Sequence, residues 1–198
     1  MARLRVVAGA LVAGLLVAAA APAADIASMI DTAKQAYQKG DLALANRTLQ
    51  AALAGIQDRL GRGFSQFMPA SPAGWEAEDA EIQGLGAVGG GLSVTRAYTK
   101  GDSSLNASII LDSPAVEAAS ALFDTPAGQP NLTRIKVGNE DALLRWDPES
   151  KSGDITIVLD KRVLLQIEGD SLPDSDSLVD LAKGFNLAGI RKLANLPS

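Results

Sequence analysis

The sequence contains no histidine among its 198 residues. This absence excludes Ser-His-Asp and Cys-His triads, histidine general bases and histidine metal ligands. Cysteine is absent as well, so the chain has no disulfide, no thiol nucleophile, no thiolate metal site and no attachment point for a lipoprotein anchor. Together these two absences remove many classes of enzyme, and we predict neither catalytic residues nor a cofactor or metal.

The sequence also lacks the Gly-Lys-Ser/Thr of a P-loop. Residues Gly84–Gly89 match G-x-G-x-x-G, but an acidic run precedes them and the strand-like segment Leu92–Tyr98 follows. A dinucleotide site needs a buried strand before the glycines and a helix N-terminus after them. We therefore interpret these glycines as a flexible approach to a strand or as a glycine bulge.

Long apolar runs are confined to the N-terminus. The run Val6–Ala20 follows Arg3 and Arg5 and leads into a small-x-small pattern that ends at Ala23. This layout predicts a cleaved signal peptide over 1–23 and a periplasmic mature protein. The alternative is an uncleaved anchor, although the run is short for a span of about 20 residues.

The mature chain is predicted to be acidic. Without the signal peptide it holds 16 Lys+Arg against 23 Asp+Glu, a net charge of −7. This charge argues against nucleic acid and anionic membrane surfaces as partners. With no second run of spanning length, the mature chain is not expected to be an integral membrane protein.

Residues 24–63 predict a helical hairpin. Apolar residues recur at helical spacing on both sides of Gly40, and Gly61 and Gly63 end the pattern. Residues 64–74 are predicted to form a linker because prolines and glycine are concentrated there. The second apolar stripe is continuous and comprises Leu42, Ala45, Leu49, Ala52, Leu53, Ile56 and Leu60. The sequence leaves open whether the hairpin packs on its own domain or on another chain.

Residues 75–198 predict an α+β sandwich domain. Its central feature is an antiparallel meander of two consecutive β-hairpins over 133–169, where polar and apolar residues alternate and Asp160-Lys161 supplies a tight turn. Ser113-Pro114 predicts the start of a helix, and 174–177 predicts the cap of a C-terminal helix. One face of the meander is apolar and needs a cover.

Two acidic clusters, 76–81 and 170–180, lack the ligand spacing of an EF-hand. We interpret the first as a solvated face and the second as a loop and helix cap. A cation at either cluster remains an open alternative.

The order of elements resembles a known superfamily. Pro72 and Gly74-Trp75 lead into strands that end at Arg96-Ala97-Tyr98, and the Asp112-Ser113-Pro114 junction, the meander and a C-terminal helix follow. Over 75–193 this order resembles the PsbP-like α/β sandwich, more closely that of uncharacterised secreted bacterial proteins. The resemblance implies an antiparallel sheet flanked by helices, in proteins that are mostly accessory or adaptor proteins without catalytic residues.

Three functions are weighed. We expect a soluble, non-enzymatic periplasmic accessory or adaptor protein that binds another envelope protein. The alternative is a small-molecule or lipid binder with its ligand between sheet and helices, and a carboxylate-dependent hydrolase is the least favoured. The candidate binding surface comprises Trp75, Arg96, Tyr98 and Trp146, although ordinary core packing also accounts for its aromatic residues.

Overall fold

The computed structural model describes residues 26–124 and 131–197. The predicted signal peptide and its cleavage site after Ala23 lie outside the described residues. The predicted mixed α+β class is confirmed. The helices are α1 Ile26–Gln38, α2 Leu42–Ser65, α3 Pro114–Asp124, α4 Asp176–Lys183 and α5 Leu187–Leu193. The strands are β1 Glu76–Ala77, β2 Glu81–Gly84, β3 Leu92–Lys100, β4 Ser103–Leu111, β5 Leu132–Val137, β6 Glu140–Asp147, β7 Ser152–Leu159 and β8 Val163–Asp170.

The strands form one antiparallel sheet in the order β1-β3-β4-β8-β7-β6-β5, and β2 pairs with the same edge of β3 as β1. The predicted meander is confirmed as β5 to β8. Its last turn has positive φ angles of 49° at Asp160 and 54° at Lys161. Two successive positive φ values are typical of a type I′ turn, whose twist matches that of the flanking strands.

The acidic segment 76–81 is largely exposed, in agreement with its interpretation as a solvated face. It also contributes β1 and begins β2, which the sequence pattern did not predict. Neither strand shows the apolar alternation that predicts a strand. Both exist because the outer edge of β3 offers unpaired backbone groups, as the pairing of Ile82 with Val94 illustrates.

The main core lies on one face of the sheet beneath α4, α5 and the C-terminal half of α2. Side chains at alternate positions of the four central strands point into it, as the pleat requires. The C-terminal helix predicted after 174–177 is present as α4, and its Leu178, Leu181 and Ala182 are buried. Fully or nearly fully buried core residues include Val94, Tyr98, Leu105, Ile109, Ile155, Ile157, Leu165, Ile167, Leu178, Leu181, Phe185 and Ile190.

Helix α2 continues through Gly61 and Gly63, where the sequence pattern predicted its end. The two glycines are sites of close approach. A β-carbon at Gly61 would overlap the Ile82 side chain, and one at Gly63 would come within 2.7 Å of Leu193 Cδ2. The first residue of the predicted linker, Phe64, is therefore helical and fully buried in the core.

The opposite face of the sheet is only partly covered. Helix α3 begins at Pro114 as predicted and packs Val116 and Ala119 against Leu164. Beyond α3 this face carries mainly polar side chains, including a row in which Asn106, Glu168, Asp154 and Arg145 are neighbours on four adjacent strands. The sheet is thus apolar towards one helical layer and largely polar on the other side.

Candidate protein-binding surface

The predicted binding residues Arg96 and Tyr98 share the core face of β3. Tyr98 is fully buried, and its hydroxyl donates a hydrogen bond of 2.7 Å to the Pro69 carbonyl oxygen. Arg96 Nη1 approaches the same carbonyl at 3.4 Å, and Arg96 Nε is buried without a hydrogen-bond partner among the described residues. Burial raises the pKa of the Tyr98 hydroxyl, and the neighbouring guanidinium partly opposes this rise. Both side chains hold the segment around Pro69 against the sheet.

The two predicted tryptophans lie apart. Trp75 is half-buried directly before β1, whereas Trp146 lies on β6, with β3, β4, β8 and β7 between those strands. Each packs against the main core, and Trp146 Cε3 lies 3.0 Å from the position that a β-carbon would take at Gly153. The structure therefore brings Arg96 and Tyr98 together but places Trp146 several strands away from Trp75.

A different surface stands out on α1 and α2. Seven large apolar side chains of this helix pair are exposed, although they lie on elements whose apolar spacing suggests burial. Leu44 is 37% exposed and lies on the opposite side of α2 from Leu49. We call the other six residues the apolar face: Ile30 is 45% exposed, Tyr37 70%, Leu42 63%, Leu49 53%, Leu53 52% and Ile56 40%.

Small residues at the contact between α1 and α2 explain this exposure. The buried positions are alanines, namely Ala33 and Ala36 on α1 and Ala45 and Ala52 on α2. At Gly55 a β-carbon would lie 3.1 Å from Ile26 Cγ1, so the Ile26 side chain packs directly on the α2 backbone there. Because the small side chains fill the contact, the large apolar side chains remain outside it.

The six residues of the apolar face lie on one side of the pair. Five of them come four residues after or three before a buried alanine, as Leu49 follows Ala45 and Ile30 precedes Ala33, and the sixth, Leu53, comes four residues after Leu49. In each helix this spacing rotates the exposed row in the same direction away from the buried alanines. Because α1 and α2 run antiparallel, the exposed rows of the two helices lie on the same side of the pair. A groove of about 500 Å³ between the helices supports this arrangement, because Ile30 of α1 and Ile56 of α2 both line it.

A second groove joins the apolar face to the end of the sheet. It measures about 230 Å³, and Leu53 and Ile56 line it from α2 while Leu92 and Leu111 line it from β3 and β4. Ile56 borders both grooves, so they flank one ridge of α2. The result is an apolar ridge between two depressions, with Arg59 also lining the first and Gln57 and Asp112 the second.

The charge of the helix pair differs from that of the rest of the chain. Residues Ile26–Ser65 hold five Lys or Arg against three Asp or Glu, whereas 66–198 hold eleven against nineteen. The exposed side chains of Asn46 and Gln50, next to the leucines of α2, are uncharged. Arg59 lies at the edge, where it lines the groove between the helices. Few charged side chains at the centre and polar ones at the rim are typical of protein interfaces.

Carboxylates elsewhere form ion pairs rather than a concentrated site. On the open sheet face Asp154 lies 3.5 Å from Arg145 Nη1, and burial raises its pKa despite the opposing effect of that arginine. Near the C-terminus Arg191 Nη2 contacts Glu140 at 2.8 Å and Arg191 also pairs with Asp160. Within 26–124 and 131–197 no group of three or more acidic residues is arranged to hold a metal ion.

The apolar stripe on α2 is visible in the sequence, but its exposure to solvent is not. The same periodicity fits a helix buried by its own domain and one that awaits a partner. The distinguishing indication lies in the residue sizes, since the row at the helix contact is alanine while the adjacent row is leucine and isoleucine.

None of the helices in the described part of the chain has the length and apolarity needed to cross a bilayer. No family model, no curated protein and no solved structure matches this chain. The resemblance to the PsbP-like superfamily therefore remains a prediction based on element order.

Proposed function

We propose that this protein is a non-enzymatic accessory protein of the periplasm that binds a partner polypeptide through the apolar face. The observation that carries the proposal is the exposure of six large apolar side chains on one side of α1 and α2. Contiguous apolar patches are uncommon on soluble monomers and often mark interaction sites. In this proposal α1 and α2 act as a helical hairpin that presents the patch.

The position of the patch supports access by a partner. The contacts of α2 with the sheet are made by its later residues, such as Gln57, whose Nε2 donates to the Gly91 carbonyl oxygen at 3.1 Å, and Phe64 in the core. Leu42 and Leu49 precede these contacts by two or more helical turns. The first half of α2 is therefore supported mainly by α1, and its apolar side faces solvent.

The ligand-binding alternative has weaker support. It places a ligand between sheet and helices, near Trp75, Tyr98 and Trp146. The side chains of Tyr98, Phe64 and Leu178 fill this layer and are fully buried. The open grooves beside Ile56 belong to the apolar face, which favours a partner that covers the ridge and both grooves.

Site-specific photocrosslinking in the periplasm of the native host tests the proposal. A photoreactive amino acid at position 49 should yield an adduct of defined additional mass. The matched control is position 44, because Leu44 is a partly exposed leucine on the same helix but lies on the opposite side from Leu49.

Two variants complete the test. Leu49→Asp combined with Leu53→Asp should reduce partner binding at least tenfold and leave the thermal unfolding of the protein nearly unchanged, because both side chains are already half exposed. Leu44→Asp should leave binding intact. Equal adduct yields at positions 44 and 49, or binding that survives the double substitution, would contradict the proposal.

A further inference from the structure

We infer that the polypeptide that covers the apolar face is a second copy of this chain, which joins its own α1 and α2 to form a four-helix bundle. This inference rests on the proposed function and names the partner of the same surface.

The apolar residues of α2 repeat every seven positions in three parallel rows. Leu42, Leu49 and Ile56 form one row, Ala45 and Ala52 the second, and Leu53 and Leu60 the third. Three apolar positions in seven are typical of a helix that packs against two neighbours in a bundle, whereas two in seven suffice for a single neighbour. In this structure α1 covers the alanine row, so the first half of α2 lacks one neighbour.

Helix α1 has the same pattern. Ala33 and Ala36 are buried against α2, while Ile30 and Tyr37, which are seven residues apart, are exposed. Both helices thus carry an additional apolar row on the same side of the pair. A second pair of helices laid on that side would cover both rows at once.

A two-fold axis near Leu49 is compatible with the α2 row formed by Leu42, Leu49 and Ile56. Leu42 and Ile56 lie seven residues before and after it, so two antiparallel α2 helices would place each of them opposite the other in the second copy. Large aliphatic side chains would then meet along the whole contact. A seven-residue repeat also keeps such a seam continuous between supercoiled helices.

The size of the surface fits a modest dimer. The apolar face spans residues 42–56 of α2 and 30–37 of α1, which are about 22 Å and 12 Å of helix. At a width of about 10 Å per helix, this face covers on the order of 350 Å². Specific interfaces bury about 800 Å² on each partner, and smaller ones support reversible association.

The charge distribution favours self-association through the helices. The segment 66–198 has eight more acidic than basic residues, so contacts between two such segments are electrostatically unfavourable. The helix pair has a small positive net charge, and uncharged Asn46 and Gln50 border its leucine rows. Two copies of the apolar face can therefore meet without strong repulsion.

Cysteine crosslinking of the purified secreted protein tests the inference directly, since the chain has no native cysteine. In the proposed dimer residue 49 lies near the two-fold axis, within the Cα separation of about 4.4–6.8 Å that a disulfide spans. Leu49→Cys should give a disulfide-linked dimer under mild oxidant. Leu44→Cys, on the opposite side of α2, should give no disulfide-linked dimer.

Sedimentation velocity provides the second measurement. The wild-type protein should sediment as a species of twice the chain mass at micromolar concentration. Leu49→Asp should weaken this association at least tenfold, and Leu44→Asp should not change it. A wild-type protein that stays monomeric at about 100 μM, or a dimer that persists in Leu49→Asp, would overturn the inference.

The two proposals can fail separately. A monomeric wild-type protein that nevertheless forms a position-49 adduct with a different polypeptide in the periplasm would exclude the second copy and retain the proposed function. A monomeric protein without any specific adduct at position 49 would overturn both.

Discussion

Gly61 on α2 lies directly against Ile82 on β2. A β-carbon at position 61 would overlap Ile82 Cγ2, which is attached to the branched β-carbon and has little freedom to move. The absence of a side chain at Gly61 thus permits the close contact between α2 and the short strand. This contact helps to position the half of α2 that carries Leu53 and Ile56.

We predict that Gly61→Ala destabilises the protein. Alanine favours a helix by about 1 kcal/mol over glycine, but overpacking against Ile82 costs about 1–3 kcal/mol, so we expect a net loss measurable by urea unfolding. Gly86→Ala is the control, because a β-carbon there meets no atom within 4 Å. Equal stability of the two variants would show that β2 can move aside freely.

Tyr98→Phe should lower the free energy of unfolding by about 1–2 kcal/mol. The substitution removes the hydrogen bond of 2.7 Å to the Pro69 carbonyl oxygen and leaves that carbonyl with the longer contact to Arg96. Tyr37→Phe is a matched control on an exposed tyrosine and should change stability by less than about 0.5 kcal/mol. A similar effect of both substitutions would contradict the structural role of the buried hydroxyl.

Arg191→Lys should destabilise the C-terminal region by about 1–2 kcal/mol although the charge is kept. Arg191 donates through Nε and Nη2 to Glu140 Oε1 at 3.0 and 2.8 Å, pairs with Asp160 and also donates to the Pro197 carbonyl oxygen. A lysine cannot make this forked set of contacts. Lys183→Met, which breaks an exposed pair with Asp180, should change stability by less than about 0.5 kcal/mol.

Asp154→Asn should alter the pH dependence of stability. Burial raises the pKa of Asp154 above its ordinary value of 3.8, so the folded protein holds this proton more tightly than the unfolded chain. The contribution of Asp154 is therefore fully present below pH 3.8 and is lost as the pH rises through the folded pKa. The variant should lack this decline in stability with rising pH. Its gain in the free energy of unfolding at neutral pH should stay below about 1 kcal/mol, because Arg145 already partly stabilises the Asp154 carboxylate.

Asp147→Asn serves as a control, because the pH dependence of stability expected from Asp147 has the opposite sign. The backbone N–H of Glu149 donates to the Asp147 carboxylate and lowers its pKa. Its stabilising contribution is therefore present above pH 3.8 and disappears as the pH falls through the lowered pKa. Urea midpoints measured from pH 3 to 7 should thus show opposite trends for the two variants, and parallel curves would contradict these assignments.

The candidate site was only partly predictable from the sequence. The apolar row from Leu42 to Ile56 is visible in its spacing, but exposure depends on what lies beside the helix, and α1 covers only the alanine row. Tyr98 is fully buried beneath the segment around Pro69, which agrees with the core-packing alternative for this aromatic residue.

The sequence by itself determined the elements whose pattern is local. The alternation over 133–169, the turn at Asp160-Lys161 and the helix start at Ser113-Pro114 all appear as predicted, because backbone preference and side-chain spacing act over a few residues. Only the tertiary structure decided that the acidic segment forms β1 and part of β2, that α2 continues through Gly61, and that its leucines remain exposed. Each of these depends on a neighbour distant in sequence, whether the free edge of β3, the Ile82 side chain or the close packing of α1, and local patterns do not specify such neighbours.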